Sequence, residues 1–182
     1  AGVGARLGDG AILAVNVKGD GYGHGLINAA KAFQAGGADW LCVHSTSEGV
    51  ALRQAGLELP IHIVGPVAHE ELESISDLDL SMVVYNEATI DALRKSGLSA
   101  RLHIKVETGN HRQGIEPREV VTLASKIRDT PRLTFEGVCS HFANVEDTTD
   151  HRYARHQQAL FAETVDALEA RGHVGLIRHL SN

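Results

Sequence analysis

The sequence Ala14-Val-Asn-Val-Lys-Gly-Asp-Gly-Tyr-Gly-His-Gly25 joins a short apolar segment to a run of alternating glycines. In an extended segment side chains alternate between two faces, so Val15 and Val17 share one face and Lys18 lies on the other. Lys18 therefore lies at the end of a predicted strand, beside a loop whose backbone can approach a ligand closely. An amine in that position is suited to form a Schiff base with a carbonyl cofactor. The alternative is a strand-end lysine that only reaches into solvent.

Apolar runs rich in Val, Ile and Leu alternate along the chain with segments of helical periodicity. The predicted strands are Ala11–Val17, Trp40–His44, Ile61–Val64, Ser81–Val84, Arg101–Val106, Thr134–Ser140 and Leu176–Leu180. The predicted helices are Leu26–Ala35, Ser47–Ala55, Glu70–Ile75, Glu87–Ser96, Pro117–Arg128 and Arg155–Ala170. This repeated order predicts an α/β protein with a parallel sheet and right-handed crossovers.

Two features favour a (β/α)8 barrel of the TIM type over an open doubly wound sheet. The glycines after Lys18 recur at every second position, which is not the Gly-x-Gly-x-x-Gly spacing of a dinucleotide-binding turn. His103, Lys105 and Glu107 alternate with apolar residues, and barrels build active sites from polar side chains near the C-terminal ends of strands. Seven strands are readable and barrels typically run to about 250 residues. We therefore expect residues 1–182 to form one truncated barrel domain of a longer polypeptide.

Polar clusters follow the ends of four predicted strands. The first strand is followed by Lys18 and Tyr22. The clusters after the fifth, sixth and seventh strands are Lys105 with Glu107-Thr-Gly-Asn-His-Arg-Gln-Gly114, then Ser140-His-Phe-Ala-Asn144, then His179-Leu-Ser-Asn182. The C-terminal ends of the strands of a barrel meet at one rim. A lysine nucleophile, an arginine, a histidine and an asparagine are therefore expected around one pocket.

The composition and charge of the chain argue against two classes of function. The formal net charge of −6 and the lack of a Lys/Arg cluster argue against a nucleic-acid partner. No apolar run approaches the roughly 20 residues that span a bilayer, which argues against a membrane protein. Cys42 and Cys139 lie in apolar strand-like segments and are predicted to be buried free thiols of a reducing compartment. The expected location is the cytoplasm.

Four segments together resemble the alanine racemases, which are PLP-dependent enzymes of fold type III. Val17-Lys-Gly-Asp-Gly-Tyr-Gly-His-Gly25 resembles their lysine signature, with glycines at 19 and 21 where the family usually has alanine or asparagine. Lys105-Val-Glu-Thr-Gly-Asn-His-Arg-Gln-Gly114 resembles their Lys-Val-Asp-Thr-Gly-Met-Gly-Arg-Leu-Gly segment. Ser140-His-Phe-Ala143 resembles Thr-His-Phe-Ala, and His179-Leu-Ser-Asn182 resembles His-x-x-Asn-Ser. The segments keep the family's order and cover nearly the whole chain.

The resemblance implies a role for each matching residue. Lys18 would hold pyridoxal 5'-phosphate (PLP) as an imine and act as one of two bases on the α-carbon of an amino-acid substrate. Tyr22 would bond the phosphate, and Arg112 would face the cofactor's phenolic oxygen and the substrate carboxylate. His141 would lie beside the cofactor ring. Lys105 corresponds to a lysine that is often carbamylated in the family.

Asn182 matches the asparagine of the last segment and is a further cofactor-binding candidate. Simpler roles remain for the other candidates. Arg112 could be a solvated loop charge, Lys105 could pair with Glu107, and His141 could be a core histidine. Other histidines and a tyrosine are predicted to be structural or solvated, namely His44, His62, His103, His151, His156 and Tyr153.

The resemblance also implies parts that this sequence does not contain. The family's second base is a tyrosine from a C-terminal β-domain of the partner subunit, and the full-length parent is expected to be a homodimer. An eighth strand and the arginine that bonds the pyridine nitrogen are also expected outside these residues. We therefore expect the fragment to bind PLP weakly and to racemise poorly by itself.

Two other functions fit parts of the pattern. Single-domain proteins of the related barrel type bind PLP without racemising anything, but they lack the Gly-Tyr-Gly-His-Gly continuation. A metal-dependent hydrolase on the same barrel could use a carbamylated Lys105 to bridge two metals. Such sites usually open with a His-x-His pair on strand one, where this chain has Lys18. No metal ligand is therefore assigned.

Overall fold

The computed structural model describes residues 10–182, and the chain divides into two compact units between Val83 and Val84. The strands of the first unit are β1 (Ala14–Asn16), β2 (Trp40–Val43), β3 (Ile61–Ile63) and β4 (Ser81–Val84), the last ending on the first residue of the second unit. They pair in chain order and all in parallel. The strands of the second unit are β5 (Ala100–Lys105), β6 (Leu133–His141) and β7 (Ile177–Ser181), which also pair in chain order and in parallel.

The six predicted helices all form, with differences at some of their ends, and one further short helix is present. The helices are α1 (Lys18–Tyr22), α2 (Leu26–Ala35), α3 (Thr46–Gln54), α4 (Leu72–Asp77), α5 (Glu87–Ser96), α6 (Val120–Arg128) and α7 (Arg152–Glu169). Short 3-10 turns, His69–Glu71 and Pro117–Glu119, precede α4 and α6. The single turn α1 was not predicted, because the glycine run that forms it was expected to be an irregular loop.

The core of the first unit consists of continuous apolar strands covered by helices. Six of its largest side chains are fully buried, namely Leu41, Leu52, Ile61, Ile63, Ile75 and Met82. Runs of this kind, apolar at consecutive positions, are typical of parallel strands that are covered on both faces. Burying each such side chain contributes about 1.5–3 kcal/mol, so the strand ends that carry the polar residues rest on a fixed scaffold.

In the second unit α6 packs on β5 and β6 and also contacts α5 and α7, while Leu102 and Ile104 of β5 are fully buried. On α7, Leu160 is only half-buried. Gln157 is instead fully buried on α7, in helical register with Phe161. A fully buried amide in an apolar stripe needs hydrogen-bond partners, and these lie in the candidate site.

Two predictions about the chain as a whole can be compared with the structure. Cys42 and Cys139 are buried free thiols, as predicted. Within residues 10–182, no helix combines the length and apolar character needed to cross a membrane.

Candidate active site

Lys18 is the first residue of α1 and not, as predicted, the last residue of β1. The ladder with β2 continues one residue beyond β1, because the N–H of Val17 donates to the carbonyl of Cys42 at 2.9 Å. The backbone then becomes left-handed at Gly19 (φ 61°) and stays so through Tyr22 (φ 55°). Only glycine adopts this conformation without a steric penalty, which explains the alternating glycines.

Asp20 closes the turn and starts the next helix. Its carboxylate accepts from the N–H of Leu26 at 2.8 Å, and its carbonyl accepts from Gly23 and Gly25. A methyl group on Gly21 would lie 2.9 Å from Cβ of Ala29, so α2 packs directly on the turn. The glycine run is therefore a compact structure that fixes the backbone of Lys18.

Glu48 on α3 connects this turn to the end of β2. Its Oε1 accepts from the N–H of Gly19 at 2.7 Å, and its Oε2 accepts from the N–H groups of His44 at 2.7 Å and Ser45 at 3.2 Å. The hydroxyl of Ser45 in turn accepts from the N–H of Glu48 at 3.3 Å. Sequence reasoning missed Glu48, although Ser45 followed three residues later by Glu48 is the signature of a capping box.

A cleft of about 350 Å³ lies over the turn, and Lys18, Gly19, Tyr22, His44 and Glu48 line it. The side chain of Lys18 is half-buried, whereas Tyr22 is 64% exposed. The structure therefore places two of the predicted cofactor-binding residues at one cleft.

Cys42 is a buried thiol close to the charge of Lys18. Burial raises its pKa to about 11, although the neighbouring Lys18 charge acts in the opposite direction. The thiol is therefore protonated at neutral pH and is a poor nucleophile.

In the second unit, Lys105 ends β5 and is buried, with 6% of its surface exposed. Lys105 is in register with Cys139 on β6, and Cys139 is in register with His179 on β7. Burial, together with the charges of His103 and Lys105, lowers the pKa of His179 to about 3. His179 is therefore neutral at physiological pH.

His103 links His179 to a carboxylate. Its Nε2 lies 3.0 Å from Oε2 of Glu136, and its Nδ1 lies 2.9 Å from Nε2 of His179. In the contact between the two rings one nitrogen donates and the other accepts, according to the tautomers. Gly137 leaves room for the His103 ring, because a Cβ there would lie 2.4 Å from Nδ1 of His103. His103 was predicted to be structural, and nothing in the sequence indicated its two partners.

The loop that carries Arg112 folds around Glu107. Although partial burial acts to raise it, the pKa of Glu107 is lowered, because backbone N–H groups of His111, Gly109 and Asn110 donate to the carboxylate. The bond from Gly109 is 2.5 Å long. Arg112 itself is exposed, and His111 before it has a left-handed backbone with φ 52°.

Gln157 holds the base of this loop against the end of β6. Its amide donates to the carbonyl of His141 at 3.2 Å and to Oγ1 of Thr108 at 3.4 Å, and it accepts from the N–H of Ala143 at 3.0 Å. Thr108 Oγ1 also lies 2.7 Å from Oγ of Ser140. The only signal for Gln157 in the sequence is that it is a polar residue in an otherwise apolar stripe.

The remaining candidates lie at the ends of β6 and β7. His141 is the half-buried last residue of β6, and Asn182 is exposed after β7. Tyr153 was expected on a solvated helix face, and its hydroxyl donates to the carbonyl of Gly109 at 2.8 Å while 47% of the side chain stays exposed. The roles of Arg112, His141 and Asn182 stay predictions.

Comparison with known proteins identifies the family. The family model "Alanine racemase, N-terminal domain" matches residues 3–182. The chain belongs to this family. Alanine racemases of Salinispora tropica and Halothermothrix orenii are 38% and 36% identical to it, over 97% and 91% of the chain. These matches cover 49% and 45% of the two relatives, so the chain spans about half the length of the curated relatives it matches.

Solved alanine racemases share the fold. The enzyme of Clostridium difficile 630 in complex with cycloserine has a TM-score of 0.92 at 29% identity, covering 98% of this chain and 50% of its own. The alanine racemase from E.faecalis has a TM-score of 0.89 at 32% identity, and the match covers 98% of this chain and 48% of that enzyme. These matches confirm the predicted fold class, a (β/α)8-type barrel represented here by seven strands within the described residues.

Proposed function

We propose that this chain is the cofactor-binding part of an enzyme that interconverts L- and D-alanine, with Lys18 as the residue that binds PLP covalently. The observation that carries the proposal is the position of Lys18, which the left-handed turn fixes at a cleft shared with Tyr22. Membership in the alanine racemase family supports the same assignment.

The residues at the cleft fit such a cofactor. Lys18 is half-buried, which leaves its amine accessible while its stem packs, and the exposed Tyr22 offers a hydroxyl to a phosphate. Cys42 stays protonated beside Lys18, so a thiol does not compete for the aldehyde. PLP, when bound, supplies the electron sink that makes the α-proton of an amino acid removable.

The chain's own residues then bind and deprotonate the substrate. The free amine of Lys18 accepts the α-proton at Nζ on one face of the α-carbon. Arg112 donates to the substrate carboxylate, for which a planar guanidinium is well suited. His141 and Asn182 complete the cofactor contacts.

Lys105 has a supporting role in this proposal. It is buried at the end of β5, where carbamylation would replace a positive charge with a negative one. The new charge would hold the guanidinium of Arg112 in the orientation that the substrate needs. Unmodified Lys105 would repel it.

Racemisation requires a second base on the opposite face, which we assign to a C-terminal β-domain of the partner subunit in a homodimer of the parent. The chain alone is therefore expected to bind PLP weakly and to racemise poorly. In the parent, D-alanine for cell-wall precursors is the expected product, made in the cytoplasm. Efficient two-way racemisation by these 182 residues alone would contradict the assignment of the second base.

The test is to add PLP to the purified chain, reduce with borohydride and locate the pyridoxyl group by peptide mass mapping. We expect the label on Lys18, with loss of the label in Lys18→Ala and retention in the matched variant Lys31→Ala, which removes an exposed lysine on the neighbouring α2. Scattered labelling of surface lysines, or stoichiometric zinc in the protein as purified, would contradict the proposal.

A further inference from the structure

We infer that Glu48 is a positioning residue for Lys18, which acts by holding the backbone of the Lys18 turn against the end of β2. The inference rests on the proposed function, because it concerns the lysine assigned there to PLP. Glu48 approaches from α3, outside the motif that contains Lys18, and lies 29 residues from Gly19.

The two carboxylate oxygens of Glu48 accept hydrogen bonds from two different segments of the chain. Oε1 accepts from the N–H of Gly19, which belongs to the peptide bond that follows Lys18. Oε2 accepts from the N–H of His44, the residue after β2. Both distances are 2.7 Å, which is short for a bond from N–H and typical of bonds to an ionised acceptor. One rigid group therefore ties the Lys18 peptide to the rim of the sheet.

Capping of α3 does not account for this geometry. Of the three bonds that the Glu48 carboxylate accepts, a capping box uses only the one from the N–H of Ser45. That bond is the longest of the three, at 3.2 Å. The two shorter bonds go to residues outside the helix. The capping role and the positioning role are thus carried by different bonds.

The turn needs such a tether because its conformation is costly. Asp20 and Tyr22 have left-handed backbones, with φ 54° and 55°, and in that region the Cβ of a non-glycine residue lies unfavourably close to the following carbonyl oxygen. A turn of this kind persists only where surrounding groups hold it. If the bond from Gly19 is lost, the Lys18 peptide is free to rotate and the amine leaves its place in the cleft.

The test compares three variants of the whole chain for pyridoxyl labelling of Lys18 after addition of PLP and reduction. Glu48→Ala removes both short bonds and should lower the labelling about tenfold, since misplacement of a reacting group carries penalties of this order or larger. Glu48→Gln keeps one oxygen acceptor and should fall between Glu48→Ala and the wild type. Ala51→Gly lowers the helix propensity of α3 at a residue that does not line the cleft and should label like the wild type.

A second measurement does not depend on PLP. Competitive acetylation with a trace of acetic anhydride compares the reactivity of Lys18 with that of Lys31 in the same molecule. We expect the ratio to change in Glu48→Ala and to stay constant in Ala51→Gly. Asn86→Ala, which removes the side-chain cap of α5, controls for loss of helix stability in the second unit.

The outcomes separate the inference from the proposed function. Wild-type protein that lacks the Lys18 label while Glu48→Ala alters the acetylation ratio would contradict PLP binding and support the positioning of Lys18. Labelling that is reduced equally in Ala51→Gly and Glu48→Ala would show that Glu48 acts only through α3. That result, or an unchanged acetylation ratio in folded Glu48→Gln and Glu48→Ala, would overturn the inference.

Discussion

The Lys18 turn and the Arg112 loop are both held by a glutamate carboxylate, but the two glutamates lie at different distances along the chain. Each follows the end of a parallel strand, and in each a glutamate carboxylate accepts backbone N–H groups. Glu48 lies on a separate helix, far along the chain from the turn that it holds. Glu107 belongs to its own loop and bonds Gly109 two residues away. The carboxylate that bonds the Lys18 turn is thus distant in the chain, whereas the carboxylate that bonds the Arg112 loop is local.

This difference decides what each segment depends on. The bond from Gly19 to Glu48 forms only while α3 is docked beside β2. The bonds to Glu107 form within the Arg112 loop, and the buried Gln157 attaches the base of that loop to β6. Perturbing α3 should therefore disturb the Lys18 turn and leave the bonds around Glu107 in place.

The largest effect is expected from Gln157→Leu, which tests the attachment of the Arg112 loop. The change removes the three hydrogen bonds of a fully buried amide, so the free energy of unfolding should fall by about 3 kcal/mol. Urea unfolding measures this. Gln158→Leu, at the exposed neighbouring position, should change the stability by less than about 0.5 kcal/mol. Equal losses in the two variants would mean that the buried bonds of Gln157 contribute nothing.

Gly21→Ala should break the Lys18 turn. The new methyl group meets Ala29 at 2.9 Å and the backbone is left-handed, so we expect a loss of about 2 kcal/mol. Gly23→Ala is the matched control, because its backbone is also left-handed but its methyl group would meet open space. That variant should lose about 1 kcal/mol. If both variants lose the same amount in urea unfolding, the packing of α2 on the turn is not what holds it.

Acid should weaken the Arg112 loop through Glu107. The pKa of this carboxyl is lower in the folded protein than its ordinary value of 4.5. Its contribution to stability is therefore complete above that value and is lost as the pH falls through the folded-state pKa. Unfolding of wild type and Glu107→Gln at pH 7 and pH 3 should show a stability difference at pH 7 that shrinks at pH 3. A difference independent of pH would mean that the charge of Glu107 does not organise the loop.

His111→Gly should have the smallest effect and the opposite sign. His111 has a left-handed backbone where the resemblance places a glycine, so the substitution relieves a cost of roughly 1 kcal/mol. The greater freedom of glycine in the unfolded chain offsets part of this gain, leaving about 0.5 kcal/mol. Asn110→Gly, at a neighbouring position that does not have this backbone, should instead destabilise. A loss of stability in His111→Gly would show that its side chain contributes contacts of its own.

The sequence was sufficient to predict features that depend on local pattern. Strand and helix positions follow from apolar periodicity, and α5 begins and ends at the predicted residues because Asn86 caps it and Gly97 follows it. Short motifs were likewise sufficient to nominate Lys18 and Tyr22, which the structure places at one cleft.

The features that the sequence did not predict depend on contacts between residues far apart in the chain or on a positive backbone φ angle. The turn α1 was missed because period-two glycines give no ordinary helical signal, although they mark a left-handed backbone. Glu48 and Gln157 were missed because their partners lie elsewhere in the chain. The chain from Glu136 through His103 to His179 joins three strands, and only their register brings it together.

The central claim is that the Lys18 turn is the part of this chain that receives PLP. Titration of PLP into the 15N-labelled protein, followed by amide NMR spectra, tests it most directly. We predict that the amide signals of Gly19, Gly21 and Gly23 shift on addition of PLP, and that Lys18→Ala abolishes these shifts while Lys31→Ala retains them. Shifts confined to exposed lysines elsewhere, with the glycine signals of the turn unchanged, would contradict the account.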